Sequence, residues 1–375
     1  MSVAQISRQG AVRRFGQGDI EQVADLSWRM LNPRGGAAPP SLCSYFQELY
    51  FCNPWREDGL PSLVYQDVNG DLVGFLGVIP RRMTLRERTV RVACGSTLVV
   101  EPAKRSTLAG LCLMQAFLAG NQDLSLGDSA NDITRRVWTG LGGKTGLLHS
   151  LSWSHPLRPA AYGVRMVSRL KANKPPKLLA MAAKPICKVA DYAAARIPGP
   201  FKNSDCALLA EELDALALLD CLSTFSDGQP LRGQYDRASL VWLLGFMGTA
   251  RGHGDLRKRL LRDAEGSVIG WYVYFVKRGG LAEVAQIGAR RKAMGQVLDH
   301  LFWDAWQHGA LAVHGQLDPT HAEDLRERCC FFYRRGSWLL VHSRDRELQQ
   351  YILSGNAFLS RLDGEWCMGF PLNEN

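Results

Sequence analysis

Apolar residues recur at three- and four-residue spacing behind an acidic start in GDIEQVADLSWRMLN, Gly18 to Asn32, which predicts a helix ended by the Pro/Gly-rich PRGGAAPP. SLCSYFQELYFCN reads as a second helix. The rhythm then shortens: PSLVYQD and LVGFLGVIPRRM are apolar runs joined by VNGD, and Asn-Gly supplies the positive φ of a tight hairpin turn. TVRVACGSTLVVEP continues as strand. It is followed by the helix AGLCLMQAFLAG, the strand DLSLGDS, the helix NDITRRVWTGL and a strand near LLHSLSW. Helices before a mostly antiparallel sheet that turns into β-α-β-α alternation predict an α+β domain.

A comparable order returns further on. CALLAEELDALALLDCLSTF reads as a helix, and LRKRLLRDAEGSVIGWYVYFVKRGGLAEVAQIGA as three strands with two turns. MGQVLDHLFWDAWQHG is a helix, ALAVHGQLD a strand, HAEDLRERCCFFYRRG a helix and SWLLVHS a strand. One plan of elements is used twice with little residue identity, so two domains are expected, over residues 1–157 and 204–375, each a mixed, mostly antiparallel sheet flanked by helices.

Charge marks the join. The net charge is +9, and Arg158 to Lys202 holds ten basic residues against the single acid Asp191, so the remainder of the chain is neutral. With six prolines and a short helical pattern, KLLAMAAKPICKVADYAAARI, between them, residues 158–203 read as a connector. Its charge is that of a solvated linker or of a surface for an anionic partner: a membrane face, a carrier protein, a nucleic acid or an acidic glycan. Tyr162, Tyr192 and Phe201 are its only aromatics, which argues against stacking on nucleic-acid bases.

Apolar residues at 46% and charged residues at 22% are ordinary for a folded chain. No apolar run approaches the roughly 18 residues that span a bilayer, and MSVAQISRQGAVRRF lacks an apolar signal region, so a cytoplasmic protein is expected. Ten cysteines are scattered without a C-x-x-C, and eight histidines without ligand spacing, so no metal is expected and the cysteines read as core residues.

The candidate chemistry lies where STLVV, cut by Pro102, passes through a basic, hydroxyl-bearing bend into the helix of Gly110 onward. Lys104 to Ala109 then sit at a helix N-terminus, where unpaired N–H groups favour an anion; the bend is a phosphate cradle or simply a strand turning into a helix. Val100-Glu101-Pro102 followed by Arg105-Ser106-Thr107-Leu108-Ala109-Gly110 resembles the pyrophosphate loop, R/Q-x-x-G-x-G/A after V-x-P, of the GNAT (Gcn5-related N-acetyltransferase) superfamily. Leu108 stands where the family has its first glycine. The family's F-Y-x-x-x-G-F helix end has a counterpart in CFFYRRGSW, with Tyr333 at the tyrosine, while the first half has Trp138 there, in RRVWTGLGG. The chain thus resembles a tandem GNAT protein in which one half, here residues 1–157, keeps the acyl-CoA site.

The resemblance implies acyl transfer from acetyl-CoA or another acyl-CoA to a small-molecule amine, such as an amino sugar or an amino acid. It implies that Leu98, Val99 and Val100, on a strand that splays from its neighbour, hold the pantetheine arm. Arg105, Ser106, Thr107, Leu108, Ala109 and Gly110 then bind the pyrophosphate, Asn131 contacts CoA and Tyr333 is the general acid. Among the carboxylates, Glu101 and Asp128 near strand ends and Glu283 on the analogous strand of the second half are the bases in view, Glu283 being the one carried forward. Each also reads as a solvated or structural carboxylate, and Cys112 and the histidines His149, His155 and His314 read as structural. A FemAB-like transferase using aminoacyl-tRNA, and a non-catalytic binding or scaffold protein, are the alternatives. LDGEW, ending at Trp366, finds no place in this scheme.

Overall fold

The structure, a computed structural model, describes residues 10–32, 35–102, 108–169, 177–199, 201–202, 208–225, 228–249, 251–334 and 336–369. From the N-terminus come β1 (Ala11–Arg14), α1 (Ile20–Leu31), α2 (Pro40–Phe51), β2 (Leu63–Gln66), β3 (Leu72–Leu85), β4 (Arg88–Val100), α3 (Ala109–Leu118), β5 (Leu124–Ala130), α4 (Asp132–Gly140), β6 (Lys144–Thr145) and β7 (Leu151–Pro156). Two helices follow, α5 (Pro159–Arg169) and α6 (Lys177–Ala194). The chain continues with β8 (Leu209–Glu212), α7 (Ala215–Phe225), β9 (Leu231–Gly233), α8 (Arg237–Thr249), β10 (Asp255–Arg262), β11 (Val268–Val276), β12 (Leu281–Ala289) and α9 (Met294–Gln307). Last come β13 (Ala312–Gln316), α10 (Ala322–Glu327), β14 (Phe331–Arg334), β15 (Trp338–His342), α11 (Arg346–Leu353) and β16 (Ala357–Phe358).

Two mixed sheets result, in keeping with the α+β class expected from the alternation of patterns. One runs β1-β2-β3-β4-β5-β15-β6, with β9 pairing both β3 and β16; the other runs β14-β7-β13-β12-β11-β10-β8. Most pairs are antiparallel. β4 with β5, β12 with β13 and β9 with β16 are parallel; the first two are joined through a helix, α3 or α9, as a parallel connection requires.

The chain forms two compact units, and their boundaries are not those the sequence suggested. The first comprises Met1–Ser150, Gln229–Gly252 and Gly336–Asn375, the second Leu151–Gly228 and His253–Arg335. Each sheet therefore takes a strand from the other half of the chain. β7 lies between β13 and β14, with Val313 opposite His155, and β15 lies against β5, with Val341 opposite Leu126. Leu340 and Val341 are fully buried there. An apolar strand pattern announces that a strand will be buried but carries no information about which edge buries it.

The helix expected within the connector is present as α6, and a further one, α5, precedes it. Both lie within the second unit, and the buried carboxylate of Asp191 accepts the N–H groups of Ala160 (2.7 Å) and Ala161 (3.2 Å). Those are donors that the first turn of α5 cannot satisfy internally. Two helices expected from sequence are part strand. Leu209–Glu212 pairs with β10 before α7 begins, and the run from His321 stops as helix at Glu327, turns at Cys329 with φ +54°, and resumes as β14. FFYR is rich in aromatics that suit a pleated edge, and that preference prevails over the helical spacing.

In the first unit Phe15, Phe46, Tyr50 and Phe75 form an edge-to-face aromatic cluster, with α3 and its Leu113, Met114 and Phe117 packed with Leu76 and Val78 of β3. In the second, Tyr272, Val297, Leu301 and Val313 anchor the core. Each such side chain contributes roughly 1.5–3 kcal/mol on burial.

Candidate functional site

β4 and β5 are registered over only three pairs, Val92 with Leu124, Ala93 with Ser125 and Cys94 with Leu126. Beyond them the strands part, and Gly95 to Val100 keeps β3 alone as its partner. The opening coincides with a bulge: between Phe75 and Gly77 the register against β4 slips, and Thr97 takes φ +47°. A bulge twists the strand and re-aims its backbone groups, here away from β5. Gly77 permits the fold, because a Cβ there would lie 2.2 Å from the Tyr50 hydroxyl oxygen and 2.5 Å from Ser96 Oγ.

A cavity of about 320 Å³ fills the fork. Leu42 and Phe46 of α2, Met114 and Phe117 of α3 and Trp138 of α4 give it largely apolar walls. Thr97, Leu98 and Val99 line one arm, and Ser129, Ala130 and Asn131 the other. Asn131 caps α4, its side-chain oxygen accepting the Thr134 N–H at 2.9 Å.

The remaining wall comes from the unassigned stretch LDGEW and its neighbours. Asp363 is tied down by Ser360, whose N–H (2.8 Å) and hydroxyl (2.7 Å) it accepts, and by the Tyr235 hydroxyl. The turn so formed brings the N–H groups of Glu365 (3.0 Å) and Trp366 (3.2 Å) onto the carboxylate of Asp128 on β5. Gly364 is required, since a Cβ there would stand 1.9 Å from Asp128 Oδ2. The Tyr45 hydroxyl donates to the Met368 carbonyl at 2.6 Å and holds the segment from the other side.

Glu365 lines the cavity, and its carboxyl is pushed up to about 8, first by burial and then by the charge of Asp128. The Thr97 N–H, turned by the bulge, pulls in the opposite direction. Burial raises Asp128 as well, but its two backbone donors and the Arg361 guanidinium oppose that rise. Two half-buried carboxyls whose charges interact share their ionisation, so Asp128, with its donors, holds the negative charge and Glu365 the proton. Burial pushes the Cys367 thiol up to about 12 and Cys94 well above its usual range, so neither is a thiolate nucleophile.

Of the residues expected from sequence, Leu98, Val99 and Asn131 line this cavity. Val100 turns instead toward β3 and α3, within van der Waals reach of a Cβ at Gly74 or Gly110. Arg105, Ser106 and Thr107 lie outside the described residues. Leu108 stands at the start of α3 with φ +60° and its side chain half exposed, while Ala109 is buried beneath the helix and Gly110 is partly buried. Glu101 pairs with Arg29 at 2.9 Å. Asp128 is half-buried, and its carboxylate is held by the N–H groups of Glu365 and Trp366.

Tyr333 and Glu283 belong to the second unit, and among the described residues none of that unit lines the cavity. Tyr333 sits on β14 and not at a helix end; its hydroxyl lies 2.5 Å from His314 Nδ1. His314 Nε2 faces Ser154 Oγ at 3.3 Å, and Glu283 is registered against His314, the last of three pairs before β12 and β13 part. The second unit thus repeats the fork, with polar side chains at its apex where the first has Cys94 and Leu126.

Sequence reasoning missed Glu365. Its local signal was an Asp-Gly-Glu turn with no strand or helix to anchor it, and its partner lies more than two hundred residues away.

The sequence matches no protein-family model and no curated protein sequence. Solved structures do match. A protein of Enterococcus faecalis described as a probable N-acyltransferase shares the fold at TM-score 0.58 and 9% identity, over 89% of this chain and 72% of that one. A GCN5-related N-acetyltransferase from Anabaena variabilis matches at TM-score 0.57 and 12% identity, over 90% and 73%. The N-myristoyltransferase of Saccharomyces cerevisiae, solved with myristoyl-CoA, matches at TM-score 0.50 and 10% identity, over 89% and 79%. At such identities the likeness is one of architecture, and by it this chain has the fold of the GCN5-related N-acetyltransferases.

Proposed function

We propose that the first unit transfers an acyl group, acetyl or longer, from acyl-CoA to an amine. One observation carries the reading: two parallel strands part after three registered pairs, and the cavity of about 320 Å³ between them has a proton-holding carboxyl, Glu365, on its wall. The described fold and its neighbours support acyl-CoA as the donor class. Backbone groups of Leu98 and Val99, freed from β5, are assigned to the pantetheine amides, and Asn131 to a further CoA contact. The pyrophosphate is assigned to the segment Arg105 to Gly110 ahead of α3, whose N-terminal N–H groups favour an anion. Leu108, at the start of α3, is exposed and has its backbone in the left-handed region at φ +60°.

Acyl transfer needs an uncharged amine beside the thioester carbonyl. Glu365, when ionised, takes the ammonium proton; the amine nitrogen then bonds the carbonyl carbon as the carbon–sulfur bond breaks, and the proton that the nitrogen sheds ends on the leaving thiolate. A base whose pKa stands near the working pH removes a proton without being permanently ionised. A thiol is a far stronger acid than an amine or an alcohol, cysteine's pKa being about 8.5, so a strong acid is not needed to expel a thiolate. Asp128 does not touch the reacting atoms; it positions Glu365 and keeps its proton affinity high. With both nearby thiols held protonated, transfer is direct and passes through no acyl-cysteine.

The test is calorimetric titration with CoA, acetyl-CoA and decanoyl-CoA, followed by release of free thiol in the presence of a panel of amines. An Ala130→Trp variant, with the ring directed into the fork, serves as control and is checked for folding. Saturable binding that the variant loses, with amine-dependent thiol release, is the expected result. A folded wild-type protein that binds none of the three overturns the reading.

A further inference from the structure

The helices α5 and α6 carry a surface that acyl transfer does not use. Arg158 to Lys202 holds ten basic residues and one acid, Asp191. That acid is only 4% exposed and is spent on the N-terminus of α5, and among the described residues of the segment the exposed charged side chains are Lys188, Arg196 and Lys202. On α6, Ile186 and Val189 are 71% and 72% exposed, and Tyr192 is 57% exposed. Their three-residue spacing gathers them on one side of the helix, away from the buried Asp191. Ile197 just beyond the helix and Val167 on α5 are also exposed. Lys188 is exposed beside the stripe, and the Arg196 guanidinium lies 3.3 Å from the centre of the Tyr192 ring. Single exposed apolar residues are ordinary; a row of them on a cationic helix is not.

The chemistry selects the occupant. A second copy of this chain would bring the same positive face and be repelled. Six of the ten cations are lysines, compact point charges that suit dispersed phosphate headgroups more than the planar, paired recognition of carboxylates on a folded partner. The apolar residues are mainly aliphatic and stand on a convex helix surface, which suits the boundary between headgroups and acyl chains. Among the described residues no helix is long and apolar enough to cross a membrane, so contact through this face would be superficial. We propose that the α5–α6 hairpin docks the protein on an anionic lipid surface, with Ile186, Val189 and Tyr192 entering the interface and Lys188 and Arg196 beside them meeting phosphate.

The experiment is flotation of the full chain with vesicles of phosphatidylcholine alone and of phosphatidylcholine mixed with phosphatidylglycerol. Two double variants, Ile186→Asp with Val189→Asp and Lys188→Glu with Arg196→Glu, are run beside it and checked for folding by thermal melting. The expected result is binding to the mixed vesicles only, weakened by added salt and reduced about tenfold or more in each variant. Failure of the folded wild type to float, or equal binding by both variants, overturns the proposal. Preference for polyglutamate or an RNA homopolymer over the anionic vesicles also overturns it, in favour of an acidic macromolecule. None of these outcomes depends on acyl transfer.

Discussion

The carboxylate of Asp128 accepts the backbone N–H of Glu365 at 3.0 Å across 237 residues of sequence. That bond and its neighbour from Trp366 carry the C-terminal stretch to the fork of the first sheet and set one half-buried carboxyl against another. The pair accounts for the raised proton affinity of Glu365, the base proposed above.

Replacing Glu365 with Gln keeps the shape of the cavity wall and removes the base. Steady-state kinetics should show kcat/KM lower by about 10²- to 10⁴-fold with little change in the affinity for acyl-CoA. The wild-type profile of kcat/KM should rise with pH toward about 8, where Glu365 loses its proton, and this limb should vanish in the variant. A variant with undiminished turnover removes Glu365 from the chemistry.

The same carboxyl makes stability depend on pH. Its proton is held more tightly folded, with a pKa near 8, than unfolded, near 4.5, so the folded protein binds the extra proton between those values. Stability from this source is complete below about pH 4.5 and is lost as pH rises through about 8. Thermal melts of Glu365→Gln should therefore lose less stability than wild type between about pH 5 and about pH 9, by about 1–3 kcal/mol. Parallel curves would contradict the raised pKa.

Gly364→Ala places a methyl group on Asp128 Oδ2, which the turn cannot admit without withdrawing the Glu365 and Trp366 donors. Denaturant unfolding should show a loss of about 2–4 kcal/mol, and acyl transfer should fall even where the protein remains folded. Wild-type stability and turnover in this variant would mean that the close approach is not needed.

Tyr333→Phe removes the hydroxyl that lies 2.5 Å from His314 Nδ1. With every described residue of the cavity wall in the first unit, turnover should change less than twofold, while stability falls by about 1 kcal/mol, the usual worth of one hydrogen bond. A large drop in kcat with unchanged melting would return Tyr333 to the mechanism.

Local pattern carried much of the fold. The spacing in GDIEQVADLSWRMLN, the Asn-Gly turn between β2 and β3 and the strand-to-helix change near Pro102 each rest on interactions within a few residues, and each element stands where those interactions put it. The repeated order of elements followed from the same local rules, and the resemblance built on it led to Leu98, Val99 and Asn131, which line the cavity.

Where a residue's setting depended on a distant partner, local pattern failed. HAEDLRERCCFFYRRG had helical spacing, yet pairing with β7 drew its aromatic end into a strand and carried Tyr333 with it. SWLLVHS was plainly strand, but only the open edge of β5 decided which sheet it completed. LDGEW held no local pattern at all, and Asp128 looked like any strand-end carboxylate. Burial gives these two acids their chemistry, and burial belongs to neither residue alone. The sequence by itself determined the elements, their order and the charge of the 158–202 segment; tertiary structure decided the strand exchange and the candidate base, because both arise from pairings between residues far apart along the chain.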